Sequence, residues 1–299
     1  MKELVILSGK GGTGKTSITA AIANLAEYSV LCDADVDAAD LHLILSPKIQ
    51  RCSEFRGGHE AIINPEKCTQ CGHCLTLCRF DAITDDFEID PFGCEGCGVC
   101  FDLCPEHAID FPETISGEWY ISSTRFGPMV HARLGIAQEN SGKLVSLIRR
   151  EAKNIAIEKN LKLLLTDGPP GIGCPVIASI GSATAVLIIA EPTVSGLHDM
   201  TRVGQLCQHF NLPAMVCVNK FDLNLDLTEN IEKTAVKNNI APVGRVSYDQ
   251  IFTEAMLRAQ TIFETDKSSR ACAEVQKVWD KVLSSLAFNT PVNQALTYI

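Results

Sequence analysis

No stretch of this 299-residue chain stays apolar for the roughly 20 residues that a bilayer-spanning helix requires. The longest candidate, Ala183 to Ala190, has the length of a buried strand. At the start, MKELVIL stops at Ser8 and gives way to glycine-rich sequence, so no signal peptide is expected and the chain reads as cytoplasmic. The final residues, AFNTPVNQALTYI, lack the Lys/Arg-rich amphipathic pattern of a membrane-surface helix, so no stable membrane anchor is expected. Positive charge is also scarce: 26 Lys and Arg stand against 36 Asp and Glu, for a net charge of −10. That balance excludes a nucleic-acid partner, whose phosphates need clustered Lys and Arg. The deficit is uneven. From Cys52 to Pro112 there are twelve acidic and three basic side chains, so nearly all of the net charge sits there and the segment reads as a separately built module. Nothing in the composition suggests disorder, and 46% hydrophobic residues suffice for one large core or two smaller ones.

Cysteine, by contrast, is abundant. Eight of fourteen fall within 37 residues, from Cys68 to Cys104. In a secreted chain this density would indicate disulfides; without a signal peptide it indicates metal.

Along the chain, Lys2 to Leu7 reads as a β-prone apolar strand, Gly14 to Glu27 as a helix with Ile18, Ala21, Ile22 and Leu25 on one face, and Ser29 to Asp33 as a second strand. Strand, glycine loop, helix and strand begin a βαβ unit and predict a parallel sheet. The alternation breaks after Ser46-Pro47 for about 65 residues and resumes near Trp119 with WYIS and MVHARL. Further strands are expected at Leu161 to Thr166, Ala185 to Ala190, Ala214 to Val218 and Val243 to Val246. Helices are expected at Ser141 to Lys159, with Asn140 as its cap, and at Gly196 to Phe210, Leu227 to Asn239, Asp249 to Ala259 and Ser268 to Leu286. The fold class is α/β, a mostly parallel sheet sandwiched by helices, interrupted by a small α+β insert. The expected boundaries are 1–51 and 115–299 for the two parts of the sheet domain and 52–114 for the insert.

Gly9-Lys10-Gly11-Gly12-Thr13-Gly14-Lys15-Thr16 fits the phosphate-loop pattern G-x4-G-K-[ST], and Ser17 follows it. Its glycines let backbone N–H groups turn inward around phosphate oxygens, Lys15 reaches the β- and γ-phosphates, and the Thr16 hydroxyl ligates Mg²⁺. The helix that starts here adds the positive end of its dipole. Asp33, Asp35 and Asp37 sit at the C-terminal end of the second strand, where open α/β sheets place ligands. Asp167 ends LKLLLTD and precedes Gly168-Pro169-Pro170-Gly171, where a carboxylate holds Mg²⁺ while the turn senses the γ-phosphate. Asn219, in VNKFD, ends another strand and can read a purine edge.

KGGTGKT, DADVDAADL, DGPPG and VNKFD together resemble the MinD/ParA/Mrp family of deviant P-loop ATPases, relatives of the nitrogenase iron protein. The resemblance covers the chain outside the insert. It implies that Lys10, the second lysine of the loop, reaches across an ATP-sandwich homodimer to the partner's nucleotide. It further implies that Asp35 is the switch I aspartate that polarises the attacking water, that Asp167 is the switch II aspartate, that Asn219 reads adenine, and that Arg245 to Asp249 forms the next adenine-side segment. Asp33, Thr16 and Asp167 are the expected magnesium donors. Cys174 lies seven residues after Asp167, near the spacing of a bridging-cluster cysteine in the nitrogenase iron protein. Its second ligand would fall near Glu139-Asn140, where no cysteine stands, so a subunit-bridging cluster is not expected.

Inside the insert, Cys68-x2-Cys71-x2-Cys74-x3-Cys78 is followed by Cys94-x2-Cys97-x2-Cys100-x3-Cys104-Pro105. Each run has the spacing of bacterial two-cluster ferredoxins, whose fourth cysteine ligates the other cluster. The expected ligand sets are Cys68, Cys71, Cys74 and Cys104 for one [4Fe–4S] cluster, and Cys94, Cys97, Cys100 and Cys78 for the second. Zinc or a purely structural role is the alternative; thiolates at this doubled spacing favour iron–sulfur. Arg79 stands after Cys78 where the other run has Pro105, and its charge is expected to raise the potential of the nearby cluster.

The leading expectation is an Mg²⁺-dependent ATPase, slow without its partner, whose ATP/ADP state gates a homodimer and couples to electron transfer with a redox or iron–sulfur partner protein. Two alternatives are an ATP-dependent carrier of iron–sulfur clusters and a MinD/ParA-like spatial organiser with redox-sensing clusters.

Overall fold

β-prone apolar runs alternate with amphipathic ones through most of the chain, and the computed structural model, which describes residues 1–135 and 140–285, turns them into alternating strands and helices. In chain order these are β1 (Lys2–Ser8), α1 (Lys15–Leu25), β2 (Ser29–Asp33), α2 (Leu41–Leu45), β3 (Lys48–His59), β4 (Ile62–Ile63), α3 (His73–Leu77), α4 (Val99–Asp102), β5 (Ile109–Asp110), β6 (Glu113–Thr124) and β7 (Gly127–Leu134). There follow α5 (Ser141–Glu158), β8 (Leu163–Pro170), α6 (Cys174–Ile180), β9 (Ala185–Ala190), α7 (Val194–His209), β10 (Ala214–Asn219), α8 (Leu225–Lys237), β11 (Ile240–Val246), α9 (Ile251–Leu257), α10 (Ile262–Thr265) and α11 (Arg270–Ser284).

Two compact units emerge. The first contains Met1–Cys52, Trp119–Arg133 and the described chain from Ser141 onward; the second contains Ser53–Glu118 with Leu134, Gly135 and Asn140. Along the sequence, the division falls within β3 and again within β6, whereas the sequence alone suggested breaks at 52 and 114.

The large sheet has nine strands in the order β11-β10-β9-β1-β8-β2-β7-β6-β3, and β1–β8, β1–β9, β9–β10, β10–β11, β2–β8 and β2–β7 all pair in parallel. Parallel strands are covered on both faces, which explains their nearly continuous apolar runs. In β1, Leu4 and Ile6 join one core cluster with Ile18 and Ile22 of α1 and Val275 and Trp279 of α11. Val5 and Leu7 point the other way, into a cluster with Val176 of α6, Met200 and Val203 of α7 and Ile231 of α8. Among this apolar packing Glu3 is buried, compensated by Arg149 at 2.7 Å and Lys153 at 3.0 Å, both from α5.

Several elements differ from the sequence reading. β3 occupies a stretch read as irregular; most of its twelve residues are exposed, so no apolar alternation marks it. β8 continues past Thr166 through Asp167-Gly168-Pro169-Pro170, because Ser8 pairs with Pro170 beyond an irregularity after Ile6. Proline suits such extended backbone at a strand end. α2, α6 and α10 were not anticipated, being only five, seven and four residues long. The expectations for the C-terminal residues from 286 and for position 139 lie outside the described residues.

The second unit contains the small antiparallel pair β4–β5, an Ile83–Ile89 bridge and the two short helices α3 and α4. Each of these helices begins at a glycine in the left-handed region, Gly72 and Gly98.

Candidate functional site

Five neighbouring parallel strands, β10, β9, β1, β8 and β2, end on one edge of the first unit's sheet, and the expected nucleotide residues hang from those ends. Between β1 and α1 the loop turns through Gly12 at φ 81° and Gly14 at φ 84°. Gly14 is required twice over: its backbone is left-handed, and a Cβ there would run into the amide nitrogen of Asn219. That amide, at the end of β10, donates to the Thr13 carbonyl at 2.7 Å. Asn219 Oδ1 is buried without a hydrogen-bond partner.

Lys15 is almost wholly buried. Its ammonium lies 2.9 Å from Asp167 Oδ1 and 3.7 Å from Asp35 Oδ2. Burial opposes the charge on Lys15, but Asp167 and Asp35 outweigh it and hold the lysine above its ordinary pKa. Asp167 is also the acceptor for two hydroxyls of α1, Thr16 Oγ1 and Thr19 Oγ1, each at 2.8 Å. Asp33 accepts the amides of Asp35 at 3.3 Å and Leu41 at 3.2 Å, so it holds the Asp35 turn and the first residue of α2. Burial, and next to it the Asp167 charge, push the Asp33 carboxyl well above the usual carboxylate range. Burial likewise raises Asp35, to about 6, against the opposing pull of Lys15. Asp37 is exposed and adds only a small repulsion to Asp35.

Lys10 extends from the loop to Glu191, at 3.3 Å, and donates to Ser195 Oγ at 3.2 Å. Glu191 also receives Lys220, whose ammonium donates in addition to the Gly12 carbonyl at 3.0 Å. Burial works against the Glu191 carboxylate, but Lys220 and Lys10 hold it below its ordinary pKa. Sequence reasoning missed Glu191, Lys220, Ser195 and Thr19. Glu191 directly follows the apolar run AVLIIA, so the rule that selected Asp33, Asp167 and Asn219 at strand ends selects it too. Thr19 lies one helical turn beyond Lys15.

Beside Asn219 a cavity is lined by Gly14, Ser17, Lys220, Ser247, Tyr248, Asp249 and Phe252 among others. The 247–248 backbone at its wall is pinned by Glu274, which accepts from Ser247 N at 2.7 Å, and by Asp222, which accepts from Tyr248 N at 2.7 Å. The structure thus brings the loop, Asn219 and the Ser247–Asp249 segment together.

In the second unit, Cys68, Cys71, Cys74 and Cys104 line one cavity, together with Ile63, Phe87 and Ile109. Burial raises the Cys74 thiol, and Cys68 and Cys71 are close enough to add to that rise. Cys104 Sγ accepts the Ala108 amide at 3.3 Å. Cys100 is raised in the same way, by burial and by its neighbours Cys94 and Cys97. Cys78 is not among the residues of the first cavity; it caps the end of α3, its amide bonded to the Cys74 carbonyl at 3.0 Å. Among the described residues no three His, Cys, Asp or Glu side chains close on a point as they would around a single metal ion. A cavity ringed by four cysteines from two separate motifs suits a group larger than one ion, and soft thiolate donors suit iron–sulfur. Cys174 is exposed at the start of α6, and Cys32, Cys207, Cys217 and Cys272 are buried as small apolar residues.

Residues 4–262 match the model of the CobQ/CobB/MinD/ParA nucleotide-binding domain. The chain belongs to this family. An uncharacterised protein of Methanocaldococcus jannaschii is 37% identical over 227 residues, which cover 74% of this chain and 79% of that protein. The fold is shared with MinD of Pyrococcus horikoshii in complex with Mg-ADP, at 15% identity, 97% and 99% coverage of the two chains and a TM-score of 0.58. It is shared also with the MinC:MinD cell division complex of Aquifex aeolicus, at 16% identity, 98% coverage of both chains and a TM-score of 0.57. This MinD/ParA-type chain carries the nucleotide-binding loop at the strand ends described above. No helix among the described residues is long and apolar enough to cross a membrane.

Proposed function

We propose that this protein is an ATP-gated homodimeric ATPase whose nucleotide state is coupled to electron transfer through two [4Fe–4S] clusters in its second unit. The observation that carries this reading is the cavity where Cys68, Cys71 and Cys74 meet Cys104 from the other motif, within a MinD/ParA-family chain. Bacterial ferredoxin spacing requires that exchange of the fourth cysteine between motifs.

In the first unit, Lys15 and the loop amides hold the phosphates. Thr16, Asp33 and Asp167 offer oxygen donors that suit Mg²⁺, a hard cation. Magnesium neutralises phosphate charge when bound. On nucleotide binding Lys15 shifts from Asp167 toward the phosphates. Asp35, ionised, orients the attacking water; such a site depends mostly on positioning. Asn219, with Oδ1 unpartnered, reads the adenine edge in the cavity shared with Tyr248. Lys10 exchanges Glu191 for the γ-phosphate of a nucleotide on the partner subunit and acts there as an arginine finger does elsewhere. In the second unit, the cysteine thiolates retain the clusters, which supply one-electron transfer.

Anaerobic purification followed by EPR of the reduced protein, with and without ATP, tests the reading. About eight irons per chain and an ATP-dependent change in potential or reduction rate are expected. Iron that passes to an apo-acceptor protein would instead indicate a carrier, and a potential indifferent to ATP would remove the coupling.

A further inference from the structure

A larger groove runs beside the cysteine cavity in the second unit. Its rim bears Glu60, Asp86 and Glu88, and its apolar surface includes Ile62 and Ile89. Ile63, Cys68 and Phe87 line both the groove and the cysteine cavity, so they form a wall common to the two. None of the three rim carboxylates enters an ion pair among the described residues; Arg56, a basic residue of this segment, is paired with Glu54 instead, at 2.8 Å. Ile62 is half exposed and Asp86 and Glu88 are exposed.

Apolar side chains beside exposed carboxylates are the mixture found where a protein partner docks. The uniformly negative rim selects the occupant. The same acidic segment of a second copy, with twelve acidic and three basic side chains from Cys52 to Pro112, is repelled, and so is a nucleic-acid backbone. Cys68 lines the groove and no cysteine of the other set does, so an occupant meets the set of Cys68 there.

We propose that this groove docks a protein whose contact face carries Lys and Arg, and that the set Cys68, Cys71, Cys74 and Cys104, not the other set, exchanges electrons with it. This rests on the reading that the eight cysteines hold two clusters. In each encounter the reduced cluster gives up one electron and a one-electron centre in the partner accepts it.

Cytochrome c, a basic haem protein, serves as the probe. With both proteins oxidised, binding is measured by calorimetry at low ionic strength, and carbodiimide cross-links are mapped by mass spectrometry. The combined variant Glu60→Gln, Asp86→Asn, Glu88→Gln should bind about tenfold more weakly and lose cross-links at 60, 86 and 88. A control with the same charge change in the first unit, Asp226→Asn, Glu229→Gln, Glu254→Gln, should bind as the parent does. The pre-reduced groove variant should reduce ferric cytochrome c to ferrous about tenfold more slowly, while its oxidation by ferricyanide should not slow. Full iron content with equal affinity in the two variants, or cross-links concentrated elsewhere, overturns the groove. Cross-linking of this chain to itself at the groove overturns the choice of occupant. Iron near zero after anaerobic purification overturns the cluster reading, and the proposal with it.

Discussion

In the first unit a single strand, β1, sends Leu4 and Ile6 into one core and Val5 and Leu7 into another, and both cores continue through whole helices. In the second unit the buried apolar side chains among the described residues are Phe55, Ala61, Ala82, Ile83, Ala108 and Ile109, three of them alanines. Phe80, Phe92, Phe101 and Leu103 stay exposed there. A chain segment below roughly 70–80 residues with so small a core is usually held by disulfides or metal. The first unit is therefore stabilised by packing and spends its charges on a site. The second carries its charges on the surface and, on the proposed reading, takes its cohesion from cysteines that hold clusters.

Removal of iron should separate the two most sharply. Chelation under mild oxidation is expected to open the second unit, because metal-binding free energy is folding free energy in small metal domains. Limited proteolysis would then cut within 53–118 while the first unit stays resistant and still binds nucleotide. Equal resistance of both units with and without iron would break the comparison.

The next effect runs the other way. Lys15→Ala removes the ammonium that binds Asp167 and, on the proposed mechanism, the phosphates. ATP hydrolysis should fall by about 10³-fold, with iron content and the second unit's protease pattern unchanged.

A smaller effect isolates Asp35. Its pKa of about 6 places the acid limb of kcat/KM for ATP hydrolysis near that value, with activity lost as the pH falls and the carboxylate is protonated. Asp35→Asn should lower the rate by about 10²-fold and abolish this limb. Stability carries the opposite sign. A carboxyl raised from 3.8 to about 6 on folding binds more protons in the folded state across that interval, so its contribution falls as the pH rises through it. Asp35→Asn should therefore raise Tm above pH 6 and leave it unchanged below pH 4.

The difference between the units also explains what could be read without coordinates. The P-loop site was legible because its parts stand at or near strand ends: Gly9 to Ser17 after β1, Asp33 as the last residue of β2, Asp167 in the last half of β8, Asn219 as the last residue of β10. Glu191 shares that position and was overlooked only because one acidic residue after an apolar run carries no motif. The pairing of Lys10 with Glu191 and Ser195 was not legible at all, since it joins residues more than 180 positions apart. In the second unit the cysteine spacing was legible, but β3, which leads into it, was not. Strands are recognised by apolar alternation, and KIQRCSEFRGGH is mostly exposed.

The smallest expected effect asks whether surface charge in the second unit acts on its cysteines as buried charge acts on the carboxylates of the first. Arg79 follows Cys78 directly and is exposed. It occupies the place that Pro105 takes after Cys104. A cation near a cluster favours the more reduced, more negative state, so Arg79→Gln should lower the midpoint potential of one cluster and leave the other unchanged. A unit charge a few ångströms away is worth about 1 kcal/mol in water, or a few tens of millivolts. Because Arg79 is exposed, the shift should shrink as salt is added. Potentiometric EPR at low and high ionic strength measures both. A salt-insensitive shift would mean that Arg79 acts through loop geometry at Cys78, and the Arg79→Pro variant, which restores the residue of the other motif, would then reproduce it.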